Sequence, residues 1–368
     1  FTGAGAEDIN FNNAISLHKY GVFANISRKL MNEKLNISFG LRVDGNSYSE
    51  DMSNPLDQFS PRVSASYQIN DKLSLNFNAG RFYQLPPFTS LGYTANGQLI
   101  NKANRIEYIA ANHLVSGFEF NPSAGSRITI EGYYKTYSNY PFLLRENISL
   151  ANLGGDFGVI GNEPVTSTSE GRTYGMEFLF QQRLIKGFYG IIAYTFGKSE
   201  FTNANGQYAP SSWDSRHILS LTAGKKFGKN WELGVKYRYQ SGLPRTPFSA
   251  DSDLAVNWDR NLGGIPDYSR INTERNGAFG ALDLRLDKKW FLKGWDLNLF
   301  LDLQNVTAAA VASNVLILDR PLDDNNKPIG GPIIVNPNAN PNEQRYLIKT
   351  INDDGGTVLP TLGIVVSL

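Results

Sequence analysis

The chain has 368 residues, enough for one large domain or two small ones. Phe and Tyr are abundant, at 22 and 18 residues, as is Gly at 35, and this composition favours strands and turns over helices. The formal net charge of +1 gives no sign of a nucleic-acid partner, and the absence of Cys excludes disulfides, thiolate zinc sites and cysteine nucleophiles.

Hydropathy excludes a transmembrane helix. The mean hydropathy is −0.31, and no apolar run reaches the roughly 18 residues that such a helix needs. A search for long apolar runs does not detect a transmembrane β-barrel, because its strands alternate lipid-facing apolar residues with lumen-facing polar ones. The chain begins at Phe1 in a Gly- and Asn-rich stretch without a signal peptide, which we interpret as the interior of a longer protein.

Alternation of apolar and polar residues begins near Tyr20 and predicts antiparallel strands. In the segment 35–44, the odd-numbered residues are all apolar, whereas the even-numbered ones are polar or Gly. About thirteen such segments follow one another, at residues 20–27, 35–44, 62–69, 73–80, 114–120, 127–137, 173–180, 188–197, 216–227, 231–239, 281–290, 295–303 and 362–368.

The connections between these segments alternate in length. Every second one is a turn of a few residues, and the others are long, at about 46–59, 84–105, 138–171, 199–213, 241–278 and 307–357. Short turns at one rim and long loops at the other are typical of an outer-membrane barrel, in which the short side is periplasmic. The last strand then descends, so we expect a periplasmic C-terminus and extracellular long loops.

The strand count bears on completeness. Bacterial single-chain barrels have even strand numbers. Thirteen strands therefore indicate that residues 1–368 are a partial barrel whose first strands are missing. An extra strand at 314–319 is the alternative, and it would allow a complete 14-stranded barrel. Six aromatic residues lie where strands meet short turns, as in an interfacial girdle: Phe120, Phe188, Phe227, Trp231, Trp290 and Trp295.

Four groups of short segments, in this order and spacing, resemble the C-terminal barrel of TonB-dependent receptors, particularly the Bacteroidetes-type group. They are SPRVS at 60–64 with GRFYQLP at 80–86; ANHLV at 111–115 with GFE at 117–119 and EGYYK at 131–135; YGME at 174–177 with WDSRHIL at 213–219 and YRYQSGLPRTPF at 237–248; and LQNVT at 303–307 with LPTLG at 359–363. Two departures are a final Leu368, where many outer-membrane barrels end in Phe, and the absence of the plug and the TonB-contacting segment from this chain. The sequence also lacks a clear C-terminal signature of the starch-utilisation subgroup, so a glycan is not favoured.

The resemblance implies a 22-stranded barrel with an N-terminal plug that is absent from this chain. It also implies active import of a scarce nutrient (an iron chelate, vitamin, peptide or oligosaccharide) with energy from TonB, which would contact a segment outside this chain. Expected partners are outer-membrane lipid, the protein's own plug, the nutrient and a surface lipoprotein. No enzymatic activity, cofactor or metal is expected.

Polar positions on the strands are then expected to line the lumen and contact the plug. The charged ones are Arg42, Asp44, Glu119, Glu131, Lys135, Glu177, Lys236, Arg238, Asp283 and Arg285. Small residues at Gly40, Gly80, Gly117 and Gly175 leave room for a plug or, alternatively, only ease strand curvature.

Aromatic residues in the long loops are the best candidates for ligand contact, because binding function concentrates in loops and a ring can stack on a ligand. Packing of loop on loop, or an outer girdle, is the alternative role. Trp258 and Tyr268 rank highest because their loop is long and rich in Asp, Arg and Asn. The complete set is Trp258, Tyr268, Tyr93, Tyr140, Phe142 and Tyr208.

Catalytic and calcium sites are weaker hypotheses. His113 and Ser116, like His217 and Ser220, are three residues apart on strands, so each pair has its members on opposite faces. The Asp-rich pieces at 251–253 and 323–326 lack the ligand spacing of a calcium loop and are better interpreted as solvated loops. Two other functions stay open: a passive porin, and a soluble β-rich binding protein.

Overall fold

The computed structural model describes residues 13–153, 161–311, 313–353 and 355–368, so the opening at Phe1 lies outside the described residues. The described part is almost entirely β-structure, as the alternation predicts. Thirteen strands of this part follow one another in the main sheet: β1 (Lys19–Leu30), β2 (Leu35–Asn46), β3 (Ser60–Asn70), β4 (Leu73–Gln84), β5 (Ile109–Ser123), β6 (Ser126–Leu143), β7 (Val165–Ile185), β8 (Phe188–Thr202), β9 (His217–Phe227), β10 (Trp231–Gln240), β11 (Phe279–Leu292), β12 (Trp295–Gln304) and β13 (Leu359–Ser367).

Each strand is hydrogen-bonded to the next one in the chain, so the sheet is a simple meander with β1 and β13 at its two ends. The chain divides into two compact units. The first holds the described residues up to 120, Ile130–Met176 and Lys198–Ser212. The second holds Asn121–Thr129, Glu177–Gly197 and Trp213–Leu368.

The register gives the sheet two chemically different faces. In the second unit, one row of directly opposed residues runs Leu233, Leu286, Leu301 and Leu362. In the first unit, a similar row runs Leu35, Tyr67, Leu75 and Phe118. The alternate positions are mostly polar or small; Lys236, for instance, lies opposite Asp283. A few of them are aromatic, such as Phe300, which lies opposite Asp287. We call these two surfaces the apolar face and the polar face.

Short turns join every second pair of strands, as predicted. They are tight because they use left-handed backbone conformations: Lys186 and Gly187 have φ of 50° and 79°, and Gly294 has φ of 91°. One long connection is clearly shorter than the alternation predicts. The predicted loop at 138–171 narrows to 144–164 because β6 continues to Leu143 and β7 begins at Val165.

The connection after β12 contains an additional strand, at the place where the sequence analysis gave one as the alternative. Ser313–Leu318 is a strand, but it pairs with Ile348–Asp353 in a separate two-stranded sheet. The hypothesis of a fourteenth barrel strand at 314–319 is therefore wrong, because its backbone hydrogen bonds are made within the connection.

The long connections also contain short elements that the sequence analysis did not predict. These are strands Thr94–Ala95, Gln98–Leu99, Ile148–Ser149, Tyr208–Pro210, Pro244–Arg245 and Glu274–Arg275, helices Glu50–Ser53, Phe88–Leu91, Ile100–Ala103 and Ala255–Asn261, and 3₁₀ helices Tyr268–Arg270 and Pro341–Glu343. Within the described ranges, none of the helices has the length and apolar character required to cross a bilayer.

Candidate functional site

The long connections of the first unit bury their own apolar core. Its fully buried side chains come from several connections and from the strand ends beside them: Met52, Leu91, Ile106, Leu143, Ile148, Val165 and Phe201. Burial of an aliphatic side chain of this size contributes about 1.5–3 kcal/mol. These connections are therefore a packed body, not independent loops.

Buried asparagines hold the connections to one another. The Asn101 amide donates to the carbonyls of Ser90 and Glu163, both at 2.8 Å, and its oxygen accepts from the Val165 amide at 2.8 Å. Asn152 in the same way donates to the carbonyls of Ala209 and Pro210, at 3.0 and 2.8 Å. Each side chain thus satisfies backbone groups of a distant segment, as buried polar groups must be satisfied.

Asn46, at the end of β2, is fully buried in the same body. Its amide donates to the Tyr108 hydroxyl at 2.9 Å, and its oxygen accepts from the Tyr48 amide at 2.8 Å. Burial raises the pKa of the Tyr48 hydroxyl to about 12, so this ring stays neutral at physiological pH and donates to the carbonyl of Leu91.

The structure places the predicted loop aromatics of the first unit in different settings. Tyr93 is buried and its hydroxyl accepts from Arg145 at 3.0 Å. Tyr140 lies in β6 with its ring 4.6 Å from that of Phe201, and Phe142 is paired with Ser149. Tyr208 is 40% exposed. Of these four, Tyr208 offers the most accessible ring, and the other three pack against neighbouring segments.

In the second unit, the connection 241–278 is tied to the connection after β12. Arg345 contacts Asp251 at 3.1 Å and also contacts Asp253, and the Tyr346 hydroxyl lies 3.2 Å from both carboxylate oxygens of Asp259. The Asp-rich piece at 251–253 therefore has an ion-pairing role. At 323–326, Asp323 accepts from the amides of Asn325 and Lys327, which makes this piece a turn.

The two highest-ranked aromatics lie in this connection. Trp258 is on the helix Ala255–Asn261 and is only 5% exposed, so its ring packs within the connection. Tyr268 begins the 3₁₀ helix Tyr268–Arg270 and is half-buried. Ligand contact by either residue stays a prediction, and the geometry favours the packing role for Trp258.

Arg275 anchors two of the family-like motifs, and sequence reasoning missed it. Its guanidinium donates to the carbonyls of Asp214 and Gly242, at 2.7 and 3.0 Å, and also contacts the fully buried Asp214 carboxylate. It therefore holds WDSRHIL against YRYQSGLPRTPF. Arg275 lies in neither motif, 61 residues from Asp214, so only the fold reveals the pairing.

Charges predicted for the lumen share the polar face. Arg42 and Asp44 form a two-pronged ion pair with both distances at 2.6 Å, and Arg238 contacts Asp283 at 3.3 Å. Glu119 is directly opposite Ser74 on the neighbouring strand. The Glu131 side chain lies so close to Gly117 that a Cβ atom at position 117 would collide with it. In the register of the sheet, Lys236 is directly opposite Asp283, and Arg285 is directly opposite Asp302. Lys135 lies on β6, and Glu177 lies on β7.

A second polar cluster, near the short turns of the second unit, contains the predicted Arg285 and four residues that the sequence analysis did not single out. Arg285 binds Asp287 at 2.8 and 3.0 Å, and Asn298 donates to Asp287 at 2.9 Å. The Tyr189 hydroxyl donates to Glu232 at 2.6 Å. The signal that could have found the cluster is position parity, since all five residues occupy the same face as the predicted charges.

Comparison with known proteins decides the family. The family model of the TonB-dependent receptor-like β-barrel matches residues 1–311. The chain belongs to the TonB-dependent receptor-like β-barrel family. Members of this family are outer-membrane transport receptors, which agrees with the resemblance carried by the motifs. No curated protein matches the chain.

Three solved structures illustrate the fold of this receptor barrel. The ferric-catecholate import receptor Fiu from K12 E. coli has 11% identity and a TM-score of 0.58, with 95% of this chain and 45% of that one covered. The ferripyoverdine receptor of the Pseudomonas aeruginosa outer membrane has 13% identity and a TM-score of 0.54, covering 82% and 35%. The FrpB iron transporter from Neisseria meningitidis has 14% identity and a TM-score of 0.52, covering 79% and 41%. The chain thus spans less than half of each.

The receptor barrel separates the two histidine–serine pairs. His113 is opposite Gly80 on the polar face, whereas Ser116 is opposite Phe77 on the apolar face and donates to the Asn76 carbonyl at 3.1 Å. His217 lies 2.8 Å from the Tyr194 hydroxyl, on the face opposite to Ser220. Neither pair has the nucleophile and base within reach of each other.

Proposed function

We propose that this chain is the C-terminal part of a 22-stranded outer-membrane receptor that imports a scarce nutrient with energy from TonB. The observation that carries the proposal is the exposure of the apolar face. Leu233, Leu299 and Leu301, on strands with a neighbour on each side, are 40%, 36% and 41% exposed, although each is directly opposed to another apolar residue.

A soluble protein rarely leaves a continuous apolar surface of this kind in water. Transfer of apolar surface out of water stabilises by about 25 cal/mol per Å², so these rows need a cover. The aliphatic residues of β10–β13 form consecutive rows, which suits acyl chains. The six predicted girdle aromatics are all partly exposed at the short-turn ends of their strands, as an interfacial belt requires.

The polar face would then line the lumen and contact the plug. A recess of about 550 Å³ on β1–β4 is lined by basic, acidic and aromatic side chains, among them Lys19, Arg42, Asp44, Arg62 and Phe82. Such a mixed lining suits contact with a polar segment or a polar ligand. The fraction of the solved receptors that the chain spans leaves room for the remaining strands and for a plug.

Orientation follows from the connections. We place the short turns and Leu368 in the periplasm and the long connections at the cell surface, because outer-membrane barrels have short periplasmic turns. The packed body of long connections would face the nutrient and, where one is present, a surface lipoprotein. The similar proteins carry the names of iron-chelate and iron transporters, which makes a metal chelate the first nutrient to test among the four classes.

The experiment uses the full-length protein. Ligands that copurify with it are identified by mass spectrometry, and uptake of the identified compound is measured in cells with and without TonB. We expect uptake to require both the receptor and TonB. Uptake that continues without TonB would overturn the importer in favour of a passive porin, and extraction without detergent would favour a soluble protein.

A further inference from the structure

Two lysines interrupt the apolar face at its short-turn end. Lys225 lies opposite Phe188 on one side and Leu233 on the other. Lys288 lies between Trp231 and Leu299. On β8 from Phe188 to Phe196, and along the described parts of β9 to β13, the apolar face contains no Asp or Glu. The two ammonium groups therefore have no carboxylate partner on their own face.

Lys288 sits in an aromatic frame. Its ammonium nitrogen is 5.3 Å from the ring centroids of both Trp231 and Trp290, and it also donates to the Lys229 carbonyl in the neighbouring turn. Two indole faces and a carbonyl hold the cation at a fixed height on the sheet. An ammonium group has three donors, so two are left for an incoming acceptor.

Lys225 makes a similar contact with a turn carbonyl on β9, two strands away from Lys288 on β11. Its ammonium donates to the Lys186 carbonyl at 2.9 Å, again in a short turn. The turns themselves add Lys186, Lys229 and Lys293 to the same rim. The adjacent residues Lys226 and Lys289 lie on the polar face, where both approach Glu232, at 4.0 and 3.8 Å. Uncompensated positive charge is thus confined to the apolar side of the rim.

The position of these lysines limits what can bind them. A lysine on the lipid face costs about 2–4 kcal/mol at the bilayer midplane but only about 0–1 near the interface. Lys225 and Lys288 occupy the interface level that the tryptophans also prefer. Directly beyond Lys288, the next row on this face contains exposed aliphatic residues such as Leu301 and Leu362. The surface therefore presents cations at headgroup height and aliphatic side chains at acyl-chain height.

We propose that Lys225 and Lys288, with Trp231 and Trp290, bind the phosphate groups of glycerophospholipids in the leaflet that meets the short turns. This inference rests on the membrane location proposed above. The lipid phosphate accepts from the two free donors of each ammonium, and the acyl chains cover the adjoining leucine rows. A free phosphate ion would satisfy the lysines but not the aliphatic surface.

The test uses the full-length receptor, delipidated in detergent and titrated with dioleoyl phosphatidylglycerol under native mass spectrometry. We expect the double variant K225Q/K288Q to bind this lipid roughly 30-fold more weakly than the wild type, from about 1 kcal/mol per lysine at a membrane surface. The matched control is K226Q/K289Q, which removes the same charge from the adjacent residues on the polar face. Equal losses in both variants would overturn the site.

A second measurement needs no variant and so does not depend on the variants folding. The wild type should bind dioleoyl phosphatidylglycerol at least roughly tenfold more tightly than dioleoylglycerol, which has the same chains but no phosphate. Equal binding of the two, or full competition by inorganic phosphate, would refute a phospholipid site. Failure of the receptor to float with liposomes would instead refute the membrane location, so the two failures are distinguishable.

Discussion

The strands and the long connections of this receptor barrel treat apolar residues in opposite ways. In the connections of the first unit, Met52, Leu91 and Ile106 are fully buried by their own neighbours. In the strands, residues of the same chemical kind, such as Leu362 and Ile364, are mostly exposed. One chain thus contains a buried apolar core like that of a water-soluble domain and an exposed apolar surface suited to lipid. The boundary between the two lies near the ends of the strands.

This difference explains why the average composition is uninformative. The connections obey the rules of a soluble domain, with buried asparagines that satisfy backbone groups. The strands satisfy their backbone within the sheet, which is the requirement for crossing a bilayer. A charge placed on the apolar face of the strands should therefore destabilise the protein because the charge would lie in lipid. Removal of a buried polar side chain from the connections should destabilise it because backbone groups would lose their hydrogen-bond partners.

The largest effect is expected from replacement of Leu301 by Arg, on the apolar face of β12 and one row farther from the short turn than the opposed Lys288 and Leu299. Arginine near the bilayer midplane costs about 2–4 kcal/mol, so we expect assembly in the outer membrane to be lost. The measurement is the folded fraction of full-length protein in the membrane, from its heat-modifiable migration on gels. Asn298→Arg is the control, since Asn298 lies on the polar face beside Asp287. Equal tolerance of both changes would show that the faces are wrongly assigned.

The second prediction concerns Arg275 in the connections of the second unit. In Arg275→Met the fully buried Asp214 carboxylate loses its main cation, and Arg216 remains only at 3.9 Å. Removal of one partner of a buried pair costs about 3 kcal/mol. Hydrogen exchange at 213–216 and 242–246 should accelerate roughly 100-fold, while the strands stay folded.

Arg260→Met provides the comparison, because Arg260 is an exposed residue of the helix Ala255–Asn261. If exchange is as slow in Arg275→Met as in Arg260→Met, the two motif segments are held together by something other than Arg275.

The strands could be predicted from sequence because their signal is local. In β2, the polarity of each residue from Leu35 to Val43 indicates which face of the sheet it occupies. The register places the odd-numbered residues on one face, as expected. The alternation of short and long connections is equally visible, since Lys186-Gly187 and Lys293-Gly294 mark tight turns. Strand number, order and direction follow from these two signals.

The connections could not be predicted because their contacts are distant in sequence. Asn101 bonds to the Val165 amide 64 residues away, and Arg345 reaches Asp253 across 92 residues. Nothing near either residue specifies its partner. Ranking the loop aromatics by loop length therefore gave no information on burial, and Trp258, ranked first, is among the least exposed of them.

A smaller effect is expected from Asn101→Ala. The carbonyls of Ser90 and Glu163 and the Val165 amide lose their partner, at a cost of about 1–3 kcal/mol. Limited proteolysis in the connections at 85–108 and 144–164 should accelerate, with no change in membrane assembly. Asn205→Ala, at an exposed position, should leave proteolysis unchanged. If Asn101→Ala abolishes assembly, the connections and the strands are not independent.

The smallest effect is a pH dependence of the same connections. Burial, and then the neighbouring Glu146 carboxyl, raises the pKa of Glu163 to about 7 from its ordinary value of 4.5. Between these two values the folded state keeps a proton that the unfolded state has lost. Stability therefore decreases as pH rises through this window, and it levels off above the folded-state pKa.

Glu163→Gln should remove this dependence, because the amide stays neutral at every pH. We expect proteolysis of residues 144–164 in the wild type to accelerate between pH 5 and about 7.5, and in Glu163→Gln to stay at the slow rate of the acidic end. Glu170→Gln, an exposed carboxyl on β7, should follow the wild type. Parallel pH profiles in wild type and Glu163→Gln would mean that another group titrates. A profile that rises in the wild type and in Glu170→Gln, but not in Glu163→Gln, would show that protonation of Glu163 stabilises the connections.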